Sequence, residues 1–271
     1  MGWWWLPLLG FGVGALGTLV GAGGGFILVP VLLFLYPDDP PAVITTISLA
    51  VVFLNALSGS LAYAHQRRID VRSGLLFAAL SIPGAVLGAW AVRFLPREVF
   101  SLVFGVLLLA IALLVALRPV PHPHERKHRP GAWTRALVDR AGHHYRWSYR
   151  AEVGAAFSFL VGFISSLLGI GGGIIHVPVL VMLLSFPIHI AAATSLFVLT
   201  ITAFAGTLTH VFSGEFAAAW SRTLLIGAGA LAGAQLGAAL APRARPAVIT
   251  RSLALGLALV GARLLWRGIS G

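Results

Sequence analysis

The stretch GAGGGFILVPVL, Gly21 to Leu32, returns in the same chain as GIGGGIIHVPVL, Gly169 to Leu180. Gly21, Gly23, Gly24, Gly25, Pro30, Val31 and Leu32 fall on Gly169, Gly171, Gly172, Gly173, Pro178, Val179 and Leu180, each 148 positions further on. Two copies of so unusual a segment mark a duplication. Both copies lie inside apolar sequence. Clustered residues without a Cβ are poor helix formers, so each copy should break a helix, with Gly21, Pro30, Gly169 and Pro178 as the structural break residues. Proline is tolerated where a helix begins, so new half-helices are expected to start near Val29 and Val177.

The composition says where such breaks lie. Of 271 residues, 58% are hydrophobic and 10% charged, with mean hydropathy +0.93. A soluble domain carries about 25% charged residues, so this chain belongs in a lipid bilayer. The first apolar run starts at Trp3 with no basic region before it and no clear cleavage site after it, which argues against a removed signal peptide. The net charge of +11 comes from arginines set between apolar runs, where they orient a membrane protein; no nucleic-acid partner is expected. Without cysteine, disulfides, thiolate metal sites and cysteine nucleophiles are excluded. The PHPH segment and the His143 and His144 pair lack carboxylate or thiolate company, so neither a metal nor another cofactor is expected.

Apolar runs cover Trp3 to Tyr36, Pro41 to Ala64, Val71 to Val92 and Val99 to Leu117, then Val153 to Phe186, Ile188 to Phe212, Thr223 to Ala241 and Val248 to Leu265. Each set of four opens with a run too long for one crossing and too short for two, since a spanning helix needs about 20 residues. The pattern predicts an all-α integral membrane protein of two homologous halves, 1–118 and 151–271, joined by a basic cytoplasmic linker at 119–150. Each half would hold a broken, re-entrant first helix and three transmembrane helices. Treating the opening runs as hairpins puts Arg67, Arg68 and Arg72 on the same side as Arg243, Arg245 and Arg251, and gives each half three full crossings, the inverted-repeat plan of many transporters. Arg263 and Arg267 then fall outside, against the positive-inside rule. Trp3, Trp4, Trp5, Trp90, Trp220 and Trp266 lie near run ends and read as interfacial anchors.

A half-helix that starts inside a membrane presents unpaired N–H groups and the positive end of its dipole, a site for an anion that needs no cationic side chain. Gly23, Gly24, Gly25, Gly171, Gly172 and Gly173 are the candidate backbone donors. Hydroxyls accompany them. The second run of each half reads TTISLAVVFLNALSG, with Thr45, Thr46, Ser48 and Asn55, or AATSLFVLTITAFAG, with Thr194, Ser195, Thr200 and Thr202. Ser48 aligns with Ser195 and Gly59 with Gly206, 147 positions apart. Small and hydroxyl residues also let membrane helices pack closely, so any single one has a structural reading as well. His176 stands inside the second glycine segment where the first has Leu28, and it could bond substrate, carry a proton or be a hydrogen-bonded structural residue. His189 and His210 sit near run ends and read as wet interfacial residues.

These residues resemble the TauE/SafE sulfite exporter family, whose members carry GxGGGxxxVPxL in each of two related halves and a TSL-like segment in the following helix. The likeness covers nearly the whole chain. It assigns the glycines and prolines above to the family motif, and Thr46, Ser48, Thr194 and Ser195 to the following segment, although TTISLA departs from AATSLF. It implies a bacterial inner-membrane, multi-pass exporter of small sulfur-containing anions such as sulfite or organosulfonates.

The expected function is therefore a secondary transporter with a midplane substrate site formed by Gly23, Gly24, Gly25, Thr46, Ser48, Asn55, Gly171, Gly172, Gly173, His176, Thr194 and Ser195, the halves rocking alternately open. No GxxxxGK[ST] loop points to ATP-driven pumping. Apolar runs nearly free of acids suit an anion moving down its own gradient without a coupling ion. The alternative is a proton-coupled transporter of another small organic anion, such as a carboxylate, using His176. A membrane scaffold would need no duplicated breaks, and a membrane enzyme would need a nucleophile with a base or a metal cluster. The partners expected are a small anion and the lipid bilayer, and a homo-oligomer is compatible with the sequence.

Overall fold

Two helices fail in mid-course at the glycine segments, and the rest of the fold covers the failures. The computed structural model describes residues 3–117, 132–242 and 257–265. In the first half, α1 (Leu6–Val20), preceded by a 3-10 turn at Trp3–Trp5, breaks off before α2 (Gly25–Leu35); α3 (Pro41–His65), α4 (Val71–Ala91) and α5 (Arg97–Leu117) follow. In the second, α6 (Ala151–Leu167) breaks off before α7 (Gly173–Pro178), which widens into a π turn at Val179–Leu183; α8 (Ile188–Phe212) and α9 (Phe216–Leu240) follow. Residues 257–265 are helical and pack on α5, Gly261 against Gly105. Among the described residues six helices are long and apolar enough to cross a membrane: Trp3–Val20, Pro41–His65, Val71–Phe94, Arg97–Leu114, Ile188–Phe212 and Phe216–Leu240. Arg243, Arg245, Arg251 and Arg267 lie outside the described residues.

The chain doubles back at each break. Gly24 lies against Val13 of α1, and Gly172 against Val161 and Ser165 of α6. The long arm of each hairpin is then gripped by a helix of the other half. Along α9, Gly229, Gly233 and Gly237 rest successively on the backbone at Pro7 and Phe11, Phe11 and Ala15, and Ala15 and Leu19, so α1 and α9 run parallel in backbone contact. Along α4, Gly84 and Gly88 do the same with Phe159 and Phe163, then Phe163 and Leu167, of α6. Small residues give these helices their close approach, and dispersion between touching backbones stabilises it.

Two expectations need correction. Pro30 and Pro178 do not begin the half-helices. These start five residues earlier, at Gly25 and Gly173, with Gly24 and Gly172 as left-handed caps, and the prolines fall inside them. Glycine at the cap accepts the conformation that ends the turn, so the helix begins at the first residue able to take helical angles. Nor is the linker only a polar connection: within a mostly helical membrane protein it contains an antiparallel pair, β1 (Trp133–Val138) with β2 (His144–Tyr149). Its alternation of apolar and polar residues has period two, and its inward residues Trp147 and Tyr149 pack on Phe186.

Ion pairs dock this hairpin on the turn between α3 and α4. Arg135 bonds Asp70 at 2.6 Å, and Arg68 bonds Asp139 at 3.0 Å, with both carboxylates buried. Burial alone would raise the Asp139 carboxyl, but the His143 amide, the Arg68 guanidinium and the His143 ring outweigh it and hold it down at about 2. A depressed carboxyl stabilises docking fully above its unfolded value, near 3.9, and loses that contribution as pH falls through its folded value.

Two outcomes are expected. In protein labelled with 5-fluorotryptophan, the Trp147 fluorine resonance, assigned by its loss in Trp147→Phe, keeps its docked position from neutral pH to about 4 and moves only between about 4 and 2. A shift complete above about pH 5 would contradict the ion-pair account. Gly229→Val should lower stability in detergent by ~1–3 kcal/mol through overpacking against Pro7, read as a fall in the unfolding midpoint, whereas Gly142→Val, which meets nothing but strains a positive φ, tests the backbone effect alone.

Candidate substrate site at the crossed helix breaks

The breaks use glycine where other residues are penalised. Gly21, Gly23 and Gly24 have φ of 78°, 75° and 84°, and Gly169, Gly171 and Gly172 have 70°, 73° and 86°. L-residues with a Cβ clash in this left-handed region. The last turns of α1 and α6 close alike: Ala22 N–H donates to Gly17 O at 2.8 Å, and Ile170 N–H to Ser165 O at 2.9 Å. The new helices open alike too, with Leu28 N–H and His176 N–H donating to Gly24 O and Gly172 O at 3.1 and 2.8 Å. Between these bonds, the amides of Gly24, Gly25 and Phe26, and of Gly172, Gly173 and Ile174, have no acceptor among the described residues.

The two breaks interlock. A Cβ on Gly25 would sit 2.7 Å from the Gly169 carbonyl, and one on Gly173 would meet the Gly21 carbonyl, so each half-helix begins against the other break. Gly23 and Gly171 both face Val52 of α3 and Leu199 of α8. Each of those helices has 25 residues, and these two positions lie near their middles. No Lys, Arg, Asp or Glu occurs in α1, α2, α3, α7 or α8.

The structure divides the predicted side chains into two groups. Ser48 Oγ donates to Gly169 O at 2.6 Å; Asn55 Nδ2 donates to Gly23 O at 3.1 Å, and its Oδ1 accepts from Thr18 Oγ1. Thr46 is turned onto its own helix, donating to Ala42 O at 2.6 Å, and Thr194 Oγ1 accepts from the Asp70 amide at 3.1 Å. Ser48 and Asn55 thus hold the breaks, while Thr46 serves its own helix and Thr194 the α3–α4 turn. Ser195 instead is fully buried and its hydroxyl has no hydrogen-bond partner among the described residues. The same is true of Ser165 Oγ, beside Gly172, and of Nδ1 of His176, whose ring stands edge-on to Phe77. Sequence reasoning passed over Thr18 and Ser165. Thr18 had a usable signal, since Ser166 stands 148 positions on, just ahead of the second glycine segment. Ser165 had none, because its counterpart is Gly17.

Crossed half-helices with unpaired amides, meeting without a charged side chain, are the geometry of a transporter core. Comparison with known proteins agrees: the family described as "Sulfite exporter TauE/SafE" matches residues 6–264. The chain belongs to that family. "Probable membrane transporter protein YunE" of Bacillus subtilis is 36% identical over 270 residues, covering 97% of each chain. A probable membrane transporter protein of Methanocaldococcus jannaschii is 30% identical, covering 76% of this chain and 72% of its own. One from Xylella fastidiosa is 28% identical, covering 96% and 92%. No solved structure matches. The TauE/SafE family and these relatives are membrane transporters, not enzymes. The glycine segments are broken rather than continuous helix, which removes the main argument for a scaffold.

The division of side chains has a measurable consequence. Asn55→Leu strands the Gly23 carbonyl and should cost about 1–3 kcal/mol, while Ser165→Ala removes a hydroxyl that nothing accepts from and should leave the unfolding midpoint in detergent unchanged or raised. Equal losses in both variants would refute the division.

Proposed function

We propose that the chain is a secondary transporter of small sulfur-containing anions such as sulfite or organosulfonates, and that residues 1–118 and 151–271 are inverted repeats which bind the anion where their broken helices cross. One observation carries the reading. Among the described residues, amides of Gly24, Gly25, Phe26, Gly172, Gly173 and Ile174 lie without acceptors at the crossing, and the buried hydroxyls of Ser195 and Ser165 lie without partners in the same half as the second break. Buried donors left unpaired are costly, and a compact oxyanion supplies several acceptors at once. Neutral donors suit a cargo that must also leave, because they hold an anion less tightly than a desolvated arginine would. The parallel packing of α1 on α9 and of α6 on α4, each across halves, supports the repeat relation.

The groups at the crossing are closed off from both ends. Toward one end, Arg97 donates to the Leu33 carbonyl at 2.8 Å and to the carbonyl of Asp39, and Arg222 pairs with Asp39 while lying over the Tyr36 ring. Toward the other, the β-hairpin spans the α3–α4 turn and Phe186. Alternating access then consists of opening one set of ties while the other holds. The hairpin end, with Arg67, Arg68 and Arg72 in one turn, is assigned to the cytoplasm of a bacterial inner membrane by the positive-inside rule. Arg263, on the opposite side by this assignment, stacks 4.6 Å from the Phe34 ring, which accounts for its place against the rule.

Flux of sulfite, taurine and lactate into proteoliposomes tests the reading. The intact protein should carry sulfite or taurine faster than lactate, Ser195→Ala should weaken half-saturation about tenfold, one hydrogen bond's worth, and Gly172→Leu should abolish flux. Unchanged flux in both variants would remove the site, and preference for lactate would remove the substrate class.

A further inference from the structure

Away from the crossing, a buried histidine stands beside an ion pair that joins the two halves. His210, in the last turn of α8, is 1% exposed, and among the described residues neither ring nitrogen meets a partner in good hydrogen-bond geometry. Its Nδ1 lies 3.5 Å from Oε2 of Glu215, an oxygen that is also buried and unpartnered. The other carboxylate oxygen, Oε1, accepts from Arg93 at 3.1 Å. Arg93 follows α4 in the first half, whereas Glu215 opens α9 in the second. Glu215 and Arg93 are the charged groups that face His210 among the described residues.

An imidazole and a carboxylate oxygen that stand opposite each other without a bond are each short of a partner that a single proton provides. On the ring, that proton makes both nitrogens donors and draws Oε2 toward Nδ1. It also places a second positive charge beside the Arg93 guanidinium, and the two cations then share one carboxylate. Ring protonation therefore weakens the tie between Arg93 and Glu215. The aligned positions in the other half carry no histidine. The position aligned with His210, 147 residues earlier, is Tyr63, whose hydroxyl donates to Thr18 O at 3.1 Å. Asp70, near the position aligned with Glu215, has its carboxylate filled by Arg135 and Ser73.

We propose that His210 and Glu215 form a proton-binding site whose occupancy sets the Arg93–Glu215 tie between the halves, so that opening at the end away from the β-hairpin is linked to a proton. The link to transport rests on the transporter reading above; the proton site and its effect on the tie do not.

Two measurements on the full chain in nanodiscs decide it without any substrate. With isotope-labelled histidine, the His210 ring resonance, assigned by its loss in His210→Gln, should titrate, and its midpoint should move in Glu215→Gln. Spin labels at Phe94→Cys and Phe212→Cys, both exposed positions in a chain without native cysteine, should report a distance that changes with pH in the parent and not in His210→Gln. A ring that keeps one protonation state between about pH 4 and 9, or a pH-dependent distance that survives His210→Gln, overturns the proposal. Sulfite flux under an imposed pH gradient separates the two readings: loss of the gradient's effect in His210→Gln supports the link. Absence of sulfite flux in the parent counts against the substrate, while the two nanodisc measurements still decide the proton site.

Discussion

Backbone that leaves the helix inside a bilayer must be covered by protein, because lipid offers no hydrogen-bond partners. Most of this architecture answers that demand. The two breaks cover each other, Gly25 against the Gly169 carbonyl and Gly173 against that of Gly21. Val52 and Leu199, near the middles of α3 and α8, close over both. The long arms α1 and α6 are held at backbone contact by α9 and α4, which glycines at 229, 233, 84 and 88 make possible. Because each arm is gripped by a helix of the opposite half, neither half could bury its own break alone.

The repeated segment does not fold identically in its two copies. Proline inside a helix removes one amide and frees the carbonyl four residues before it, here Phe26 and Ile174. After Pro30 the chain continues as regular helix to Leu35. After Pro178 it widens into a π turn, and Phe186 N–H returns to the Leu180 carbonyl. The second copy also carries the polar groups that the fold leaves unpaired, at Ser165, His176 and Ser195, where the first has Gly17, Leu28 and a Ser48 already bonded to Gly169. Among the described residues, the unpaired side-chain donors nearest the breaks lie on the second copy's side of the crossing.

Charge is kept to the ends of the helices, where water lowers its cost. Asp70 and Asp139 serve the hairpin at one end; Asp39 and Glu215 receive arginines at the other. Each set joins segments distant in sequence rather than residues within one helix. A buried ion pair adds little net stability but is costly to break one partner at a time, a property suited to closure that is either made or released.

The bilayer and the glycine breaks were legible in the residues, since both follow from composition and local propensity. The helix starts were misjudged because proline was given the role that the left-handed glycine caps at 24 and 172 perform. The β-hairpin was missed because high charge hid a period-two pattern whose apolar face has meaning only once Phe186 lies beneath it. Which hydroxyls hold the frame and which stay free was beyond the sequence: Ser48 and Ser195 occupy the same place in their repeats, and only the packing of one helix break against another gives Ser48 a carbonyl to bond. His210 and Glu215 likewise lie five residues apart in a turn, and their significance depends on Arg93, which the fold brings from the other half of the chain.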